Sequence, residues 1–598
     1  VRQYKSPPKI EITSEQRLSD VVFDRARREP NSVLLRRMEG EQWRDVTAAQ
    51  FRDEVAGLAK GLIAAGVEHG DRVGLMARTC YEWTLVDYAV WTAGGVTVPI
   101  YESSSSEQIQ WVLDNSDSVA TFVENADHES RARAVTEELP ELRSLWRIDA
   151  GAIAELTSNG ASVSDEVLEQ RRREGHSGEI ATIIYTSGTT GRPKGCELTH
   201  ANMLSAVRNV MAGQLRSLFT VGDRSTLLFL PLAHSYARLI QVSCVESGTT
   251  MGHFPTTGPE LLDGLAGFRP TFLLAMPRVF EKIYNRSEQT ASSQGKGKIF
   301  ARAAQTAIDY SIAQQSGGPG LGLRMRHALF DKLVYGKILA RVGGRATHAV
   351  SGGSALGERL GHFFRGIGLT VIEGYGLTET SGPATVNDPN AIKIGTVGQP
   401  LPGVAVRIAD DGEVLVQGPN VMSGYWRNEA ATADSFDEEG WYRTGDIGEL
   451  DDEGYLSITG RKKEILVTSG GKNVAPVVLE DRVNSHPLVS QCMVVGDNRH
   501  FIAALVTVDP EALEFWKETH GKRGGIRELI RDPDLIAAVQ EAVDRANSAV
   551  SRAESIRRFE ILPVEFTKEG GQISDSMKLK RHVVTKQFAA EIEGIYAD

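Results

Sequence analysis

The apolar run Ile180 to Ile184 leads directly into residues 185–195, which read Tyr-Thr-Ser-Gly-Thr-Thr-Gly-Arg-Pro-Lys-Gly. A short apolar run bounded by turn residues reads as a buried strand. The eleven-residue segment after it holds three glycines, four Ser or Thr hydroxyls and two cations. A plain surface linker has no need of Arg-Pro-Lys closing such a run. The following residues, 198–204, read as a helix start with Thr199 as N-cap. Strand, glycine-rich loop and helix in succession is how a backbone presents many N–H donors to a phosphate chain. A Walker A loop is excluded, because that motif places Ser or Thr after Gly-Lys, whereas here the order is Lys194-Gly195.

The alternation of short apolar runs and amphipathic helices extends on both sides of this loop. Strands are expected over 72–77, 96–101, 120–124, 226–232, 271–276, 347–353 and 369–373, and helices over 48–65 (N-cap Thr47), 81–93 and 358–366, with a further helix that follows the serine run 103–106 and reaches Asn115. That order argues for helix-covered parallel sheet. Residues 287–344 read as a basic, helix-prone insertion broken at 315–322. Beyond Lys393 short strands and turns dominate. From Arg461 a smaller α+β unit is expected, with a helix over 476–485 and strands near 489–495 and 501–506. With 598 residues, the chain has length for more than one domain. The division is placed at 1–460 and 461–598.

A net charge of −12 with no basic, aromatic-interleaved block argues against nucleic-acid binding. Cys80, Cys196, Cys244 and Cys492 stand alone, which suits reduced thiols rather than zinc or disulfides. The opening residues lack the apolar core of a secretory signal, and no uninterrupted apolar run has spanning length. These features together predict a cytoplasmic chain.

Further polar clusters fall at strand ends and turns, where α/β proteins bind ligands: Pro-Leu-Ala-His-Ser at 231–235, Ser-Gly-Gly-Ser-Ala at 351–355, Gly-Tyr-Gly-Leu-Thr-Glu-Thr at 374–380, Tyr-Arg-Thr-Gly-Asp at 442–446 and Gly-Arg-Lys-Lys-Glu-Ile at 460–465. Singly each is weak. Thr-Glu-Thr is usually a helix cap, Gly-Asp a turn and Arg-Lys-Lys a solvated face. In this order, and with the C-terminal Met-Lys-Leu-Lys-Arg at 577–581, the series resembles the adenylate-forming superfamily of acyl-CoA synthetases, firefly luciferases and peptide-synthetase adenylation domains. The resemblance runs from about Val33 to Arg581.

It implies a large N-terminal α/β domain of helix-covered sheets with a small mobile α+β C-terminal domain. It also implies a reaction in two halves. A carboxylate attacks the α-phosphate of ATP to give an acyl-adenylate, and a thiol, usually coenzyme A, then displaces AMP. Carried onto this chain, the resemblance places Thr186, Ser187, Gly188, Thr189, Thr190, Gly191 and Lys194 around the β- and γ-phosphates. Glu379, with Thr186, is implied to hold Mg²⁺, and Thr378 to approach the α-phosphate. Tyr375 and Gly376 would lie against adenine, and Gly352, Gly353 and Ser354 would let base and acyl group approach the backbone. Asp446 would bind the ribose with Arg461 alongside, and His234 would sit near the substrate carboxylate. Lys463 is implied as the hinge, and Gly470 and Gly471 belong to the segment facing the thiol after rotation. The adenylation lysine aligns with Lys578, two residues from Lys580. Met577 stands where the usual pattern has glycine.

Pro277 to Tyr284, the insertion after it and the C-terminal basic motif resemble the bacterial long-chain fatty-acyl-CoA synthetases. An acyl tunnel is expected near Phe229, Met276 and Val350. A fatty-acyl-AMP ligase serving a carrier protein is the second reading, and a non-catalytic acyl or nucleotide sensor the third. Expected partners are fatty acid, ATP and CoA. The basic helices around 302–341 read either as a peripheral membrane patch or as a solvated face. Oligomeric state is not legible.

Overall fold

The computed structural model describes residues 2–186, 192–256, 258, 260–469, 472–574 and 577–597. A seven-stranded sheet forms its centre. Ile180–Thr186, Val96–Ile100, Arg72–Met76, Ser118–Val123 and Ser144–Arg147 run parallel, and Lys194–Thr199 and Gly424–Tyr425 extend one edge antiparallel. The inner strands are buried on both faces, which is why Val96–Ile100 and Ser118–Val123 read as continuous rather than alternating runs. A second sheet orders Phe272–Ala275, His348–Ser351 and Thr370–Leu377 in parallel, followed by Gly382–Val386 and Gln399–Pro400. A third joins Ser225–Leu228 and Thr250–His253 to the hairpin Val33–Glu39 and Gln42–Thr47. An all-antiparallel sheet, Gln3–Lys5 with Ala405–Ile408, Glu413–Gln417, Tyr442–Leu450 and Leu456–Arg461, closes this part of the chain.

Beyond Arg461 the strands pair among themselves. Val489–Val495, Ile502–Val508 and Ile556–Ile561 form a three-stranded sheet. Its two faces feed separate apolar cores, one with helices Pro476–Asn484 and Pro533–Asn547, the other with the C-terminal helices.

The glycine-rich loop departs from the expected strand–loop–helix. Lys194–Thr199 is a strand in antiparallel register with Ile180–Thr186, pairing Ile184 with Cys196 and Thr186 with Lys194. The loop therefore closes a hairpin. Buried Cys196 and Leu198 hold the returning strand in place. The helix starts only afterwards, at His200–Ala212, where Thr199 does cap it by accepting from the Asn202 N–H. The strand expected over 226–232 stops at Leu228, three residues before Pro231, whose nitrogen has no proton to donate.

Helix Ser235–Ser247, which carries His234 as its cap, is pinned from inside. Arg238 Nη2 donates to Asp87 Oδ1 at 2.7 Å and Nη1 to Thr182 Oγ1 at 2.6 Å, with both charged side chains fully buried. A matched, hydrogen-bonded pair of this kind fixes position more than it adds stability.

Candidate active site

The strand Thr370–Leu377 bulges between Tyr375 and Gly376 against its antiparallel partner. A Cβ at Gly376 would lie 1.9 Å from the Gly382 carbonyl oxygen, so no side chain fits there. The bulge turns Tyr375 so that its hydroxyl donates to Asp446 Oδ2 at 2.6 Å. Asp446 pairs across the ladder with Arg461, whose Nε lies 3.2 Å from Oδ1. The carboxylate is 4% exposed. Burial raises its pKa, against the opposing pull of Arg461. Burial and the Asp446 charge push the Tyr375 phenol well above its usual range, so it remains a donor.

A second group forms where Glu379 leaves the same strand in the turn Thr378–Thr380. Its Oε1 accepts from the Tyr425 hydroxyl at 2.7 Å. Lys194 Nζ sits 4.3 Å from the centre of the Tyr425 ring. Thr186 and Lys194, the last register pair before the connection, flank residues 187–191 in sequence. Thr378 Oγ1 lies 3.4 Å from Ser235 Oγ, the first residue of the helix capped by His234.

His234 Nδ1 accepts from the Tyr236 N–H at 3.2 Å, which leaves its proton on Nε2. Burial, then the charge of Lys578, lowers its pKa to about 4, so the ring is neutral. The Tyr236 hydroxyl donates to the Val350 carbonyl, and its ring is 3.4 Å from where a Gly352 Cβ would stand. Gly353 has φ +91°, a conformation open to glycine.

Lys578 enters this group from the C-terminal unit. Its backbone N–H donates to Ser574 Oγ at 3.0 Å. Its side chain keeps surface open to the cleft while protein surrounds it. That enclosure, then the Arg461 charge, lowers its pKa, and Asp446, Glu379 and Glu464 act the other way. Met577 beside it has φ +62°.

All these residues line one cavity of about 2260 Å³. It runs through the cleft between the two units, and so exceeds the roughly 300–1,000 Å³ of a single-ligand pocket. Its lining includes the apolar residues Val210, Leu215, Phe219, Phe229 and Leu274, all of one hydrophobic core.

A family profile described as AMP-binding enzyme matches residues 22–426. The chain belongs to the AMP-binding enzyme family. A second profile, AMP-binding enzyme C-terminal domain, matches residues 463–598. The long-chain-fatty-acid–CoA ligase FadD15 of Mycobacterium bovis is 50% identical over the full length of both chains. The long-chain-fatty-acid–CoA ligase ACSBG2 of Xenopus laevis is 30% identical over 95% of this chain and 82% of its own. Among solved structures, the A domain of carboxylic acid reductase from Segniliparus rugosus, in complex with AMP and a co-purified carboxylic acid, superposes with a TM-score of 0.75. It covers 97% of this chain and 94% of its own at 19% identity, a likeness of fold.

In this AMP-binding enzyme the cavity brings together Thr186, Lys194, His234, Gly352, Gly353, Ser354, Tyr375, Gly376, Thr378, Glu379, Asp446, Arg461, Lys463 and Lys578. Met276 and Val350 line it as well, and so does Lys580. Lys578 is the lysine whose charge acts on both His234 and Asp446. Ser187, Gly188, Thr189, Thr190, Gly191, Gly470 and Gly471 lie outside the described residues. Sequence reasoning missed Tyr425, which sits in a two-residue strand with no periodicity to announce it. It also missed Lys462, whose Nζ donates to Asp411 Oδ2 at 2.5 Å and Glu413 Oε2 at 2.9 Å, while Glu413 Oε1 accepts from the Gly445 N–H one residue before Asp446. The signal was present in the charge pattern but reads as solvated surface.

Proposed function

We propose that this chain is a long-chain-fatty-acid–CoA ligase of the AMP-forming type. A fatty-acid carboxylate oxygen attacks the α-phosphorus of ATP. The bond to the β-phosphate bridging oxygen breaks, and pyrophosphate leaves. The CoA sulfur then attacks the acyl carbon, and the carbon–oxygen bond to AMP breaks. The observation that carries this reading is a single cavity lined both by cations and hydroxyls, Lys194, Lys578, Thr186 and Thr378, and by apolar side chains such as Phe229 and Leu274. Identity of 50% to a ligase of that name over the full length supports the substrate class.

In this reading Lys194, Thr186 and the residues 187–191 hold the β- and γ-phosphates. Tyr375 and Gly376 face adenine, and Asp446 with Arg461 binds the ribose. His234, neutral with its proton on Nε2, donates to the substrate carboxylate or the adenylate. Lys578 places positive charge against the oxygens that gain charge during adenylation. Gly352, Gly353 and Ser354 leave room beside the acyl group. Residues 461–598 rotate about Lys463 after adenylation, bringing Gly470 and Gly471 to the thiol.

Glu379 suits a magnesium ion. Its Oε1 is held by Tyr425, and Oε2 has no hydrogen bond among the described residues. A hard cation takes carboxylate oxygen. Bound there with Thr186, it would neutralise phosphate charge. Among the described residues no helix is long and apolar enough to cross a membrane. The same reading puts the enzyme in the cytoplasm, in peripheral contact with the bilayer into which its substrate partitions.

The test is a product assay with ATP, Mg²⁺ and acids of short to long chain, with and without CoA. Acyl-CoA and AMP from long chains are expected. Acyl-AMP that accumulates untouched by CoA would move the chain to the carrier-protein ligases. No adenylate from any fatty acid would overturn the reading.

A further inference from the structure

Helix Leu321–Phe330 has a second apolar face with no protein against it. The helix runs on through a π-helical turn, Asp331–Tyr335, into Gly336–Ala340. One side is docked. Phe330, Tyr335 and Ile338 are buried. His327 stacks on Tyr310 at 3.9 Å and its Nε2 donates to the Gly366 carbonyl at 2.6 Å. The Tyr335 hydroxyl donates to the Ala303 carbonyl at 2.7 Å. The other side carries Leu321, Met325, Leu329 and Leu333 at four-residue intervals, and these are 79%, 75%, 56% and 50% exposed. A surface helix ordinarily turns polar residues outward. Four large apolar side chains in series form the kind of patch that marks a contact surface.

Charge identifies the contact. The whole chain carries −12, yet residues 296–345 hold nine Lys or Arg against two Asp, a local +7. Arg324, Arg326 and Lys332 interleave with the apolar stripe, and Lys337 follows it. All four are exposed and make no ion pair with a carboxylate among the described residues. Apolar residues along one line with unneutralised cations on its flanks match a helix that lies in a membrane interface.

We propose that this face docks on an anionic lipid bilayer, with Leu321, Met325, Leu329 and Leu333 entering the headgroup–acyl boundary and the flanking cations against lipid phosphates. A second copy of the chain fits poorly, because it would oppose like charge to like. The face also adjoins the cleft. Helix Gly297–Gln315, on which Leu321–Phe330 packs, lines the cavity through Gln305, Ile308 and Ile312. The proposal rests on the bilayer contact of the proposed function and gives it a surface; docking requires no turnover, so its failure and that of the ligase assignment are read separately.

The test is co-flotation of the full chain with vesicles, without ATP or fatty acid. Binding is expected to equimolar phosphatidylglycerol–phosphatidylcholine and not to phosphatidylcholine alone, and 0.5 M salt should weaken it. Met325→Ser with Leu329→Ser should lower the partition coefficient tenfold or more. Arg324→Gln, Arg326→Gln and Lys332→Gln should each lower it about fivefold. An unchanged melting temperature and unchanged pyrophosphate release from a short-chain acid would show that the variants are folded. The proposal fails if the parent chain stays off anionic vesicles or if the serine variant binds as well as the parent. It also fails if the serine substitutions instead dissociate a dimer seen by light scattering.

Discussion

The Tyr425 hydroxyl donates to one oxygen of Glu379 at 2.7 Å in the wall of the cleft, and the other oxygen has no hydrogen bond among the described residues. A carboxylate fixed at one oxygen presents the second in a defined direction, which is how a partner behind a metal ligand tunes the ligand in front of it. Tyr425→Phe removes the hydroxyl and keeps the ring under Lys194. We expect the Mg²⁺ concentration for half-maximal rate to rise, and kcat/KM to fall about 10- to 100-fold. Glu379→Ala should cost several orders of magnitude, on the order of several kcal/mol in the barrier. A magnesium titration of both variants checks the order. An unchanged Mg²⁺ dependence in Tyr425→Phe would remove the positioning role.

Lys578 carries its charge at a cost, since enclosure and Arg461 both disfavour the ammonium. A lowered lysine pKa means that the ammonium is lost at lower pH than the ordinary value of about 10.4. Adenylation should therefore fall as pH rises, with its midpoint below that value. The sign for stability is the opposite. The unfolded chain holds the extra proton between the two pKa values, so folding gains as pH rises through that window. Pyrophosphate release against pH, compared with Lys578→Arg, measures the limb. The arginine variant should lose it.

Met577 occupies the left-handed region at φ +62°, where a β-carbon costs roughly 1–2 kcal/mol. This accounts for the glycine usual at this place in the resembled pattern. Met577→Gly should be about 1 kcal/mol more stable than Met577→Ala, the reverse of their order in a helix. Urea unfolding of the two variants tests the sign.

His200 and His253 are held neutral by burial, each with its pKa lowered to about 3, and His234 to about 4. An unfolded histidine takes up its proton near pH 6.5. Stability should be full above pH 6.5 and decline as pH falls from there toward about 3. His200, capped against the Leu18 N–H and buried, should contribute a few kcal/mol of that loss. Replacing it with Gln should flatten the acid limb of a melting-temperature profile. An unchanged limb would mean that the ring is already protonated in the folded chain.

Much of this fold is written locally. Helix Glu358–Gly366 and strand Val489–Val495 fall where periodicity and β-branched runs put them, and Thr47 and Thr199 cap the helices they were expected to cap. What escaped a linear reading depends on partners far along the chain. The strand Lys194–Thr199 is defined by register with Ile180–Thr186, so the returning strand before the Thr199-capped helix was missed. Tyr425 gains its place by pairing beside Cys196, over two hundred residues away. The Tyr375 bulge exists because the backbone of Gly382 leaves no room at Gly376. The polar clusters were legible as a series. Their convergence on one cavity is a property of the sheet ends that carry them.

On the proposed function, Lys578 serves the first half of the reaction and leaves the site for the second. The most direct test is to measure both halves on Lys578→Ala: pyrophosphate release from ATP with a long-chain acid, and acyl-CoA formation from preformed acyl-AMP with CoA. The account predicts that the first falls by a hundredfold or more while the second stays within a fewfold of the parent. Equal loss of both halves, or retention of the first, would contradict it.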